Sequence, residues 1–327
     1  MRRRYVMRAI AGLAAVWPLV AQAQQVALPV VGFLNAGSPA AFSDLESSFR
    51  KGLNDAGYVE GKNVAIEYRW AEGRHDRIPA LAADLVNRQV AVIASTGGSD
   101  VVQTAAAATT TIPIVFLGSD ITLKMGIIAS LNRPSRNVTG VAMSVTALLS
   151  KCLQFLSELV PKDAMVGVLV NPSSSITSDD KQDVQAAAQQ IGRQIFILAA
   201  GNEIEIENAF AMLSERHAGG LVVQGDALYT DRRNQLVALA ARYSLPTIYL
   251  WSEFTAASGL ITYGNSLNEG YQQVGNYVGR ILDGAKPADL PVMQPARFRF
   301  TINLKTAKTL GLAIPPSLLI LADEVIE

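Results

Sequence analysis

The chain has 327 residues, which is enough for two domains with separate hydrophobic cores. Half of its residues are hydrophobic, 17% are charged and the formal net charge is zero. No basic patch accompanies clustered aromatic residues, so nucleic acid is not an expected partner. A single cysteine, Cys152, excludes an intrachain disulfide and a cysteine-based metal cluster.

The first 23 residues are typical of a secretory signal peptide. Four arginines lie within the first eight residues, and an apolar run, Ala9–Val20, follows them. This run is shorter than the ~20 residues that a membrane span needs, and Pro18 interrupts it. Ala21-Gln22-Ala23 matches the A-x-A cleavage pattern, so we predict cleavage after Ala23 and export. No cysteine follows this site, so no lipid anchor is expected, and the export route (Sec or twin-arginine) stays open.

Strands and helices alternate along the first half of the chain. An apolar run from Val30 ends in a small polar loop that reaches Ser38, and a helix with one apolar stripe follows. Further strands are predicted at Asn63–Trp70, Ala91–Ala94 and Ile114–Leu117, and Asn137–Met143 links this half to the next. The predicted helices are Ala40–Ala56, Arg77–Val90, an alanine-rich helix that ends near Ala108, and Thr146–Val160.

The second half follows the same rhythm. Met165–Ser175 contains a valine-rich strand that ends in Asn171-Pro172 and three serines. Other strands are predicted at Ile195–Leu198, Leu221–Val223 and Thr247–Tyr249, with an apolar segment at Ala256–Tyr263 and a final strand at Arg297–Asn303. Helices are predicted at Ser178–Ile191 and Leu267–Leu282, with a final short helix at Leu304–Leu310.

Three segments of the first half match segments of the second half in the same order, about 130 to 135 residues apart. The pairs are Val31-Gly32 with Val166-Gly167, Ala91–Thr96 with Leu221–Asp226, and Ile112–Phe116 with Leu245–Tyr249. This repeat predicts an α/β fold of two doubly wound parallel-sheet lobes. In such sheets, ligands bind at the carboxyl ends of the strands.

Catalysis finds little support in the sequence. The two histidines, His75 and His217, lie beside polar or small residues, and no nucleophile and acid are arranged next to either of them. Phosphate-loop, zinc-protease and nucleophile-elbow motifs are missing, and Gly97-Gly98-Ser99 is too short a glycine signal to indicate a nucleotide. We therefore expect a protein that is not an enzyme and that uses no cofactor and no metal.

Ligand binding is better supported, because the loops at the predicted strand ends carry small hydroxyl, amide and glycine residues. Main-chain N–H groups at helix starts and serine hydroxyls can hold a carboxylate, and Asp120, Asp226 or Glu253 can accept an ammonium group. The candidate ligand-binding residues are Asn35, Ser38, Ser95, Thr96, Gly97, Ser119, Asp120, Thr139, Asn171, Ser173, Ser174, Ser175, Asp226, Tyr249, Trp251 and Tyr263.

Each candidate also has an ordinary structural interpretation. Serine, asparagine and glycine serve as helix caps and turn residues, and large aromatic residues such as Trp251 and Tyr263 are mostly buried in cores. The binding hypothesis therefore depends on the whole set of loops and not on any one residue.

Several longer motifs resemble a known family. They are PIVFLGSD (113–120), NRPSRNVTGV (132–141), VGVLVNP (166–172), GLITYG (259–264), INLKTAKTLGL (302–312), PPSLL (315–319) and ADEVIE (322–327). With them the chain resembles the tryptophan-binding-protein-like family of ABC transporter substrate-binding proteins over its whole length after residue 23. The loop at 171–175 departs from the family's NPNNP-like pattern, which leaves the ligand class open.

This resemblance implies a periplasmic-binding-protein fold of type I, with a hinge of three crossovers. By the same analogy, residues 24–140 with 265–293 form the N-terminal lobe, and 141–264 with 294–327 form the C-terminal lobe. Gly140 and Gly264 are the implied hinge residues, because glycine tolerates a change of backbone angle. The characterised relatives bind aromatic amino acids.

The resulting hypothesis is a monomeric, periplasmic solute-binding component of an ABC importer. It captures an amino acid or a related carboxylate by hinge closure and delivers it to a permease in the inner membrane. Two alternatives stay open: a sensor of the same fold that signals to a membrane receptor, and a secreted enzyme.

Overall fold

The computed structural model describes residues 28–134, 137–173, 178–295 and 297–327. The predicted signal peptide, 1–23, lies outside these residues. The strands are β1 Val30–Asn35, β2 Ala65–Trp70, β3 Val92–Thr96, β4 Ile114–Ser119, β5 Val138–Met143, β6 Val166–Val170, β7 Ile195–Ala199, β8 Gly220–Val223, β9 Thr247–Tyr249, β10 Ile261–Gly264, β11 Arg299–Asn303 and β12 Glu324–Ile326. The helices are α1 Pro39–Asp55, α2 Ile78–Asn87, α3 Ser99–Ala108, α4 Ile121–Lys124, α5 Thr146–Leu159, α6 Ser178–Gln190, α7 Glu203–Glu215, α8 Ala227–Asp231, α9 Arg233–Arg242, α10 Glu253–Ala256, α11 Leu267–Leu282, α12 Leu304–Thr309 and α13 Pro316–Leu321.

These strands form two separate sheets, each covered by helices, and we call each sheet with its helices a lobe. The first sheet has the order β2-β1-β3-β4-β5, and all of its pairings are parallel. The second sheet has the order β12-β11-β10-β9-β8-β6-β7, in which only β10 and β11 pair antiparallel. The predicted α/β class with two parallel-sheet lobes is confirmed.

Within the described residues, the chain passes between the lobes three times. Helix α5 follows β5 of the first sheet but packs against β8 and β9 of the second. Helix α11 follows β10 of the second sheet but packs against α1 and against β3, β4 and β5 of the first. Met293 then pairs with Val141 beside β5 before the chain returns to the second sheet as β11.

Helix α1 shows how the sequence specifies these elements. Ser38 caps its start by accepting a hydrogen bond from the Ala41 N–H, and Pro39 occupies the first helical position. Its buried stripe, which includes Phe42 and Phe49, faces α11 and the first sheet. Helix α11 carries a matching buried stripe over most of its length, so the two helices together cover one face of the first sheet.

The two predicted hinge glycines lie where backbones approach closely. A Cβ atom on Gly140, in β5, would be 2.1 Å from the Phe116 carbonyl oxygen, and one on Gly264, in β10, would be 1.8 Å from that of Leu250. Packing therefore requires glycine at both positions. Their role as hinges and the lobe boundaries stay predictions, and β5 continues to Met143, three residues past the expected boundary at 140.

The end of the chain differs from the prediction. Arg297–Asn303 and Leu304–Leu310 were expected to be the last strand and helix, but α13 and the short edge strand β12 follow them. Strand β12 pairs with β11 through three residues that are exposed or half-buried. Because this edge strand contains no buried apolar run, the sequence carries little signal for it.

Candidate functional site

A cavity lies between the two lobes, at the carboxyl ends of strands from both sheets. It encloses about 690 Å³ of empty space, including the part that is open to solvent. Its walls are Phe42, Gly97, Gly98, Ser99, Asp100, Leu117, Gly118, Ser119, Met143, Val145, Gln224, Gly225, Asp226, Ala227, Thr230, Trp251, Leu267 and Tyr271.

The wall of the first lobe is built around the start of α3. Gly97 and Gly98 have φ values of 87° and 132°, a conformation that suits glycine and turns the chain from β3 into the helix. Ser99 then bonds to the next loop, because its Oγ accepts from the Ser119 N–H at 3.2 Å and from Thr122 Oγ1 at 2.9 Å. These bonds fix the loops after β3 and β4 side by side.

In the wall of the second lobe, the acidic residue that lines the cavity is Asp226. It caps the start of α8, where its Oδ1 accepts from the Leu228 N–H at 2.9 Å and from Asn171 Nδ2 at 2.9 Å. Burial raises the pKa of the Asp226 carboxyl, and the nearby charge of Asp100 raises it further. The same carboxyl is stabilised in its charged form by these two hydrogen bonds and by the charge of His75.

The rest of the cavity is mainly apolar. Trp251 is 5% exposed and lies against Gly225, where a Cβ atom would be 2.4 Å from its ring. Tyr271 is fully packed, and its hydroxyl accepts a hydrogen bond from Asn35 Nδ2 at 2.9 Å. An apolar wall with a few oriented polar groups is the usual composition of a site for a small organic molecule.

A histidine stands next to the acidic part of the first wall. His75 Nδ1 lies 2.5 Å from Asp100 Oδ2, and both side chains are partly exposed. The hydrogen bond with Asp100 raises the pKa of His75, although burial opposes it, and the charge of Asp226 adds to the increase.

The two lobes also contact each other beside the cavity. Asp231, at the end of α8, accepts hydrogen bonds from Ser38 N at 3.0 Å and from Ser38 Oγ at 2.6 Å. Arg233 Nη1 donates to the Ala41 carbonyl oxygen at 2.6 Å. Both contacts join the start of α1 in the first lobe to the α8–α9 region of the second, so the structure shows the lobes in contact.

Four of the residues predicted to bind the ligand line the cavity: Gly97, Ser119, Asp226 and Trp251. Gly97 and Trp251 follow β3 and β9, Ser119 is the last residue of β4, and Asp226 is the N-cap of α8. Two further candidates, Ser174 and Ser175, lie outside the described residues.

The other candidates lie outside the cavity walls, and several have identifiable structural partners. Asn35 bonds to Thr96 and Tyr271, Ser38 to Asp231, and Thr139 Oγ1 to the Leu290 carbonyl oxygen at 2.7 Å. Tyr249 stacks on Phe254, and Tyr263 packs against Phe155 and Phe300 in a surface groove away from the cavity. The remaining residues outside the walls are Ser95, Asp120, Asn171 and Ser173.

Several wall residues were not among the predicted set. Ser99 is the last residue of the predicted loop Ser95–Ser99 and Asp100 follows it directly, so the loop was predicted but these two residues were not selected from it. Phe42 and Tyr271 belong to apolar stripes of helices, and a stripe residue at a lobe interface cannot be told from a core residue by periodicity.

Comparison with known proteins gives the family. The model of the family described as ABC transporter substrate binding protein matches residues 36–326. The tyrosine-binding protein of Clostridioides difficile (strain R20291) is 23% identical over 274 residues, which cover 82% of this chain and 76% of that protein.

Two solved structures have the same fold. A conserved domain protein from Vibrio cholerae is similar with a TM-score of 0.82 and 22% identity, over 91% of this chain and 99% of that one. The ABC domain from Streptococcus pneumoniae in complex with L-Trp has a TM-score of 0.79 and 22% identity, over 90% of this chain and all 100% of the other.

The chain belongs to the family of ABC transporter substrate-binding proteins. These proteins bind small ligands outside the cytoplasm, deliver them to an ABC permease, and are not enzymes. The predicted family and the predicted absence of an enzymatic role are confirmed. Among the helices that the structure describes, none is both long and apolar enough to cross a bilayer.

Proposed function

We propose that this protein is the periplasmic solute-binding component of an ABC importer. It captures an amino acid or a related carboxylate between its lobes and holds it by hinge closure. The observation that carries this proposal is the cavity at the strand ends, whose walls come from both lobes. A ligand that contacts both walls favours the closed form, because the open form offers it only one wall at a time.

The inter-lobe contacts support closure as part of the mechanism. The bonds from Ser38 to Asp231 and from Arg233 to Ala41 form only when α1 and α8 are close together. In this proposal the lobes are those predicted from the sequence, 24–140 with 265–293 and 141–264 with 294–327. The one exception is the first junction, which lies at the end of β5, at Met143, instead of at residue 140; Gly140 and Gly264 lie at the hinge.

The walls suit both ends of an amino acid. Main-chain N–H groups at the start of α3 and the hydroxyl of Ser119 can donate to a carboxylate. The half-buried carboxyl group of Asp226 suits an ammonium group, and Trp251 with its apolar neighbours suits a side chain. The related tyrosine-binding protein and the L-Trp complex favour an aromatic amino acid as the ligand.

A thermal-shift screen of the chain from residue 24 onward tests the proposal, with amino acids, aromatic acids, amides and sugars as ligands. We expect at least one amino acid or carboxylate to raise the melting temperature and to bind at one site by calorimetry. Small-angle scattering should show a more compact protein with this ligand. If none of the compounds binds, or if one is turned over, the proposal is wrong.

Two aromatic residues provide a matched pair for locating the site. Trp251→Ala removes part of the cavity wall, whereas Tyr263→Ala removes a ring from the surface groove. We expect the first variant to lose at least tenfold in affinity, as removal of a buried aromatic contact commonly does. The second should retain the affinity, and the opposite pattern would place the ligand elsewhere.

Export and assembly complete the proposal. We propose that the chain is cleaved after Ala23, that it carries no lipid anchor, and that it works as a monomer with an inner-membrane permease. Mass spectrometry of the periplasmic fraction should give a chain that begins at Gln24, and light scattering should give the monomer mass. A retained N-terminus or a stable dimer would contradict these parts.

A further inference from the structure

A groove lined by four aromatic rings lies on the second lobe, apart from the cavity between the lobes. It encloses about 870 Å³ of empty space, including the part that is open to solvent. The four rings are Phe155 of α5, Tyr263 of β10, Phe298 just before β11 and Phe300 within it. The end of α13 and the residues before β12 complete the walls, so every described lining residue belongs to the second lobe. We call this feature the aromatic groove.

The alternation of side chains along β11 explains why the rings gather there. Phe298 and Phe300 line the aromatic groove, whereas Arg299 and Thr301 line a polar cavity on the opposite face of the sheet. Helix α5 lies on the same face as the two phenylalanines and contributes Phe155. The sequence of β11 therefore places its aromatic residues on one side of the sheet and its polar residues on the other.

The rings form a packed floor with an open edge. Phe155 stacks on Phe300 with the ring centroids 4.3 Å apart, and both rings are buried. Tyr263 meets these two rings edge-on, with centroid distances of 5.0 and 6.0 Å, and it is half-buried, as is Phe298. Leu321, at the end of α13, is 55% exposed. The groove therefore presents an apolar surface that a ligand can reach.

The charged residues of the groove leave an excess of positive charge. Within the described residues, neither Lys151 nor Arg297 forms an ion pair, and Lys151 Nζ donates to the neutral Gln154 Oε1 at 3.3 Å. Asp323 also lines the groove, but its Oδ2 already accepts from the Phe300 N–H at 2.8 Å. Two cations thus lie beside one carboxylate that has a main-chain partner, so the groove complements an anion.

We propose that the aromatic groove binds an aromatic carboxylate, whose ring packs on Tyr263 and Phe298 while Arg297 and Lys151 hold the carboxylate. Aromatic rings favour offset-stacked or edge-on contacts, and a guanidinium group matches a carboxylate with two parallel hydrogen bonds. This site goes beyond the solute-binding function proposed above and does not depend on it. Because the described lining residues all belong to the second lobe, closure leaves the groove unchanged, and the two sites should bind independently.

The pair 2-naphthoate and 2-naphthamide tests the site, because the two compounds share a ring system and differ in charge. By calorimetry at low salt, we expect the native protein to bind the acid about fivefold more tightly than the amide, the scale of a partly exposed ion pair. Salt at about 1 M should remove most of this difference, since it screens exposed charges. Equal affinities at low salt would overturn the carboxylate site and leave the groove as an apolar surface for another protein.

Substitutions show whether the acid binds in the groove. The double variant Lys151→Gln with Arg297→Gln changes two exposed or half-buried side chains, and it should bind the acid and the amide equally. Lys162→Gln, at an exposed turn after α5, is the matched control and should keep the preference for the acid. Tyr263→Ala should weaken the binding of both compounds about tenfold, as the loss of an aromatic contact commonly does.

Trp251→Ala separates the groove from the cavity between the lobes. This substitution removes part of the cavity wall and should leave the affinity for 2-naphthoate unchanged. If 2-naphthoate loses its affinity for Trp251→Ala but keeps it for the double variant, the acid binds in the cavity and the inference is wrong.

The outcomes also separate this inference from the proposed function. The amino acid or carboxylate that the wider screen identifies in the cavity should bind the double variant as tightly as the native protein. If no such ligand is found while 2-naphthoate binds through Lys151 and Arg297, the proposed function is wrong and the aromatic groove stands as a site. If 2-naphthoate does not bind, the groove is not such a site and solute binding is unaffected.

Discussion

The two lobes use the same hydrogen-bond arrangement at equivalent strand ends, with different results. In the first lobe, Asn35 is the last residue of β1, and its Nδ2 donates to Thr96 Oγ1 at 2.8 Å, at the end of β3. In the second lobe, Asn171 follows β6 and its Nδ2 donates to Asp226 Oδ1 at 2.9 Å, just after β8. Each asparagine also accepts from the N–H two residues later, at 2.6 Å in the first lobe and 2.9 Å in the second.

The difference lies in the residue that receives the bond. Thr96 is fully buried and its hydroxyl also lies 3.4 Å from the Leu34 carbonyl oxygen, so the first arrangement serves the fold. Asp226 bears a carboxyl group and lines the cavity, so the second arrangement positions a titratable side chain at the cavity wall. The two lobes thus share the local geometry, while in the second lobe it places a carboxyl group at the cavity wall.

The largest effect should come from removing the first arrangement. Asn35→Ala leaves Thr96, Tyr271 and the Gly37 N–H without their partner in a buried region, which should lower the free energy of unfolding by about 3 kcal/mol. Urea denaturation measures this. Asn63→Ala is the control, because its two main-chain bonds lie in an exposed turn. A loss below about 1 kcal/mol would show that Asn35 has no special structural role.

A change in the second arrangement should alter the affinity for the ligand more than the stability of the protein. Asp226→Asn keeps an oxygen for Asn171 and Leu228 but removes the charge, so affinity for an amine-bearing ligand should fall about tenfold by calorimetry.

Although its affinity for the ligand should fall, the ligand-free Asp226→Asn variant should be more stable than the native protein at neutral pH. Burial raises the pKa of Asp226, so its contribution to stability is present below the ordinary value of 3.8 and is lost as pH rises through the raised pKa. The variant should therefore unfold at a higher temperature than the native protein at pH 7.5, and this gain should shrink toward pH 4. A gain that grew on acidification would contradict the burial argument.

His75 gives a smaller, pH-dependent effect in the first lobe. Its raised pKa means that the bond to Asp100 stabilises the protein below pH 6.5, and that this stability is lost as pH rises through the raised value. Because the pair is partly exposed, His75→Gln should cost about 1 kcal/mol or less at pH 5.5 and less still at pH 8. Chemical denaturation at the two pH values checks this, and a larger loss at pH 8 would reverse the sign.

The contact between the lobes should affect affinity modestly and without selectivity. Asp231→Asn weakens the bonds to Ser38 N and Oγ, so closure should be less favourable and every ligand should lose about threefold. Asp163→Asn, at an exposed turn, is the matched control. A loss confined to one ligand would indicate that Asp231 contacts that ligand directly.

The smallest effect should come from Ser95, the neighbour of Thr96 in β3. Its hydroxyl is buried and, among the described residues, has no hydrogen-bond partner. Ser95→Ala should therefore change stability by less than about 0.5 kcal/mol and leave affinity unchanged. A clear loss of affinity would show that Ser95 belongs to the binding site, as its position in the sequence predicts.

Most of the fold could be predicted from the sequence, because buried parallel strands leave apolar runs and helices leave periodic stripes. Leu267–Leu282 was predicted with the bounds that α11 has, and Asn137–Met143, expected only as a link, contains β5, the fifth strand of the first sheet. The edge strand β12 was missed because its residues are not buried on both faces.

The site was predictable only as a set of loops. Asn35 and Asp226 are both polar residues at strand ends, and the sequence does not say which one bonds inward and which faces the gap. That choice depends on the order of strands in each sheet and on the approach of the other lobe. Both are long-range properties, so no local pattern encodes them.

The position of α11 has a consequence for the order in which the two lobes fold. This helix comes from residues 267–282, yet it covers α1 and three strands that end by residue 143. The part of the chain that is synthesised first therefore cannot complete its own core until more than a hundred later residues have been made. A nascent chain whose first lobe must wait for its last third therefore leaves the apolar residues of that lobe uncovered until synthesis is nearly complete.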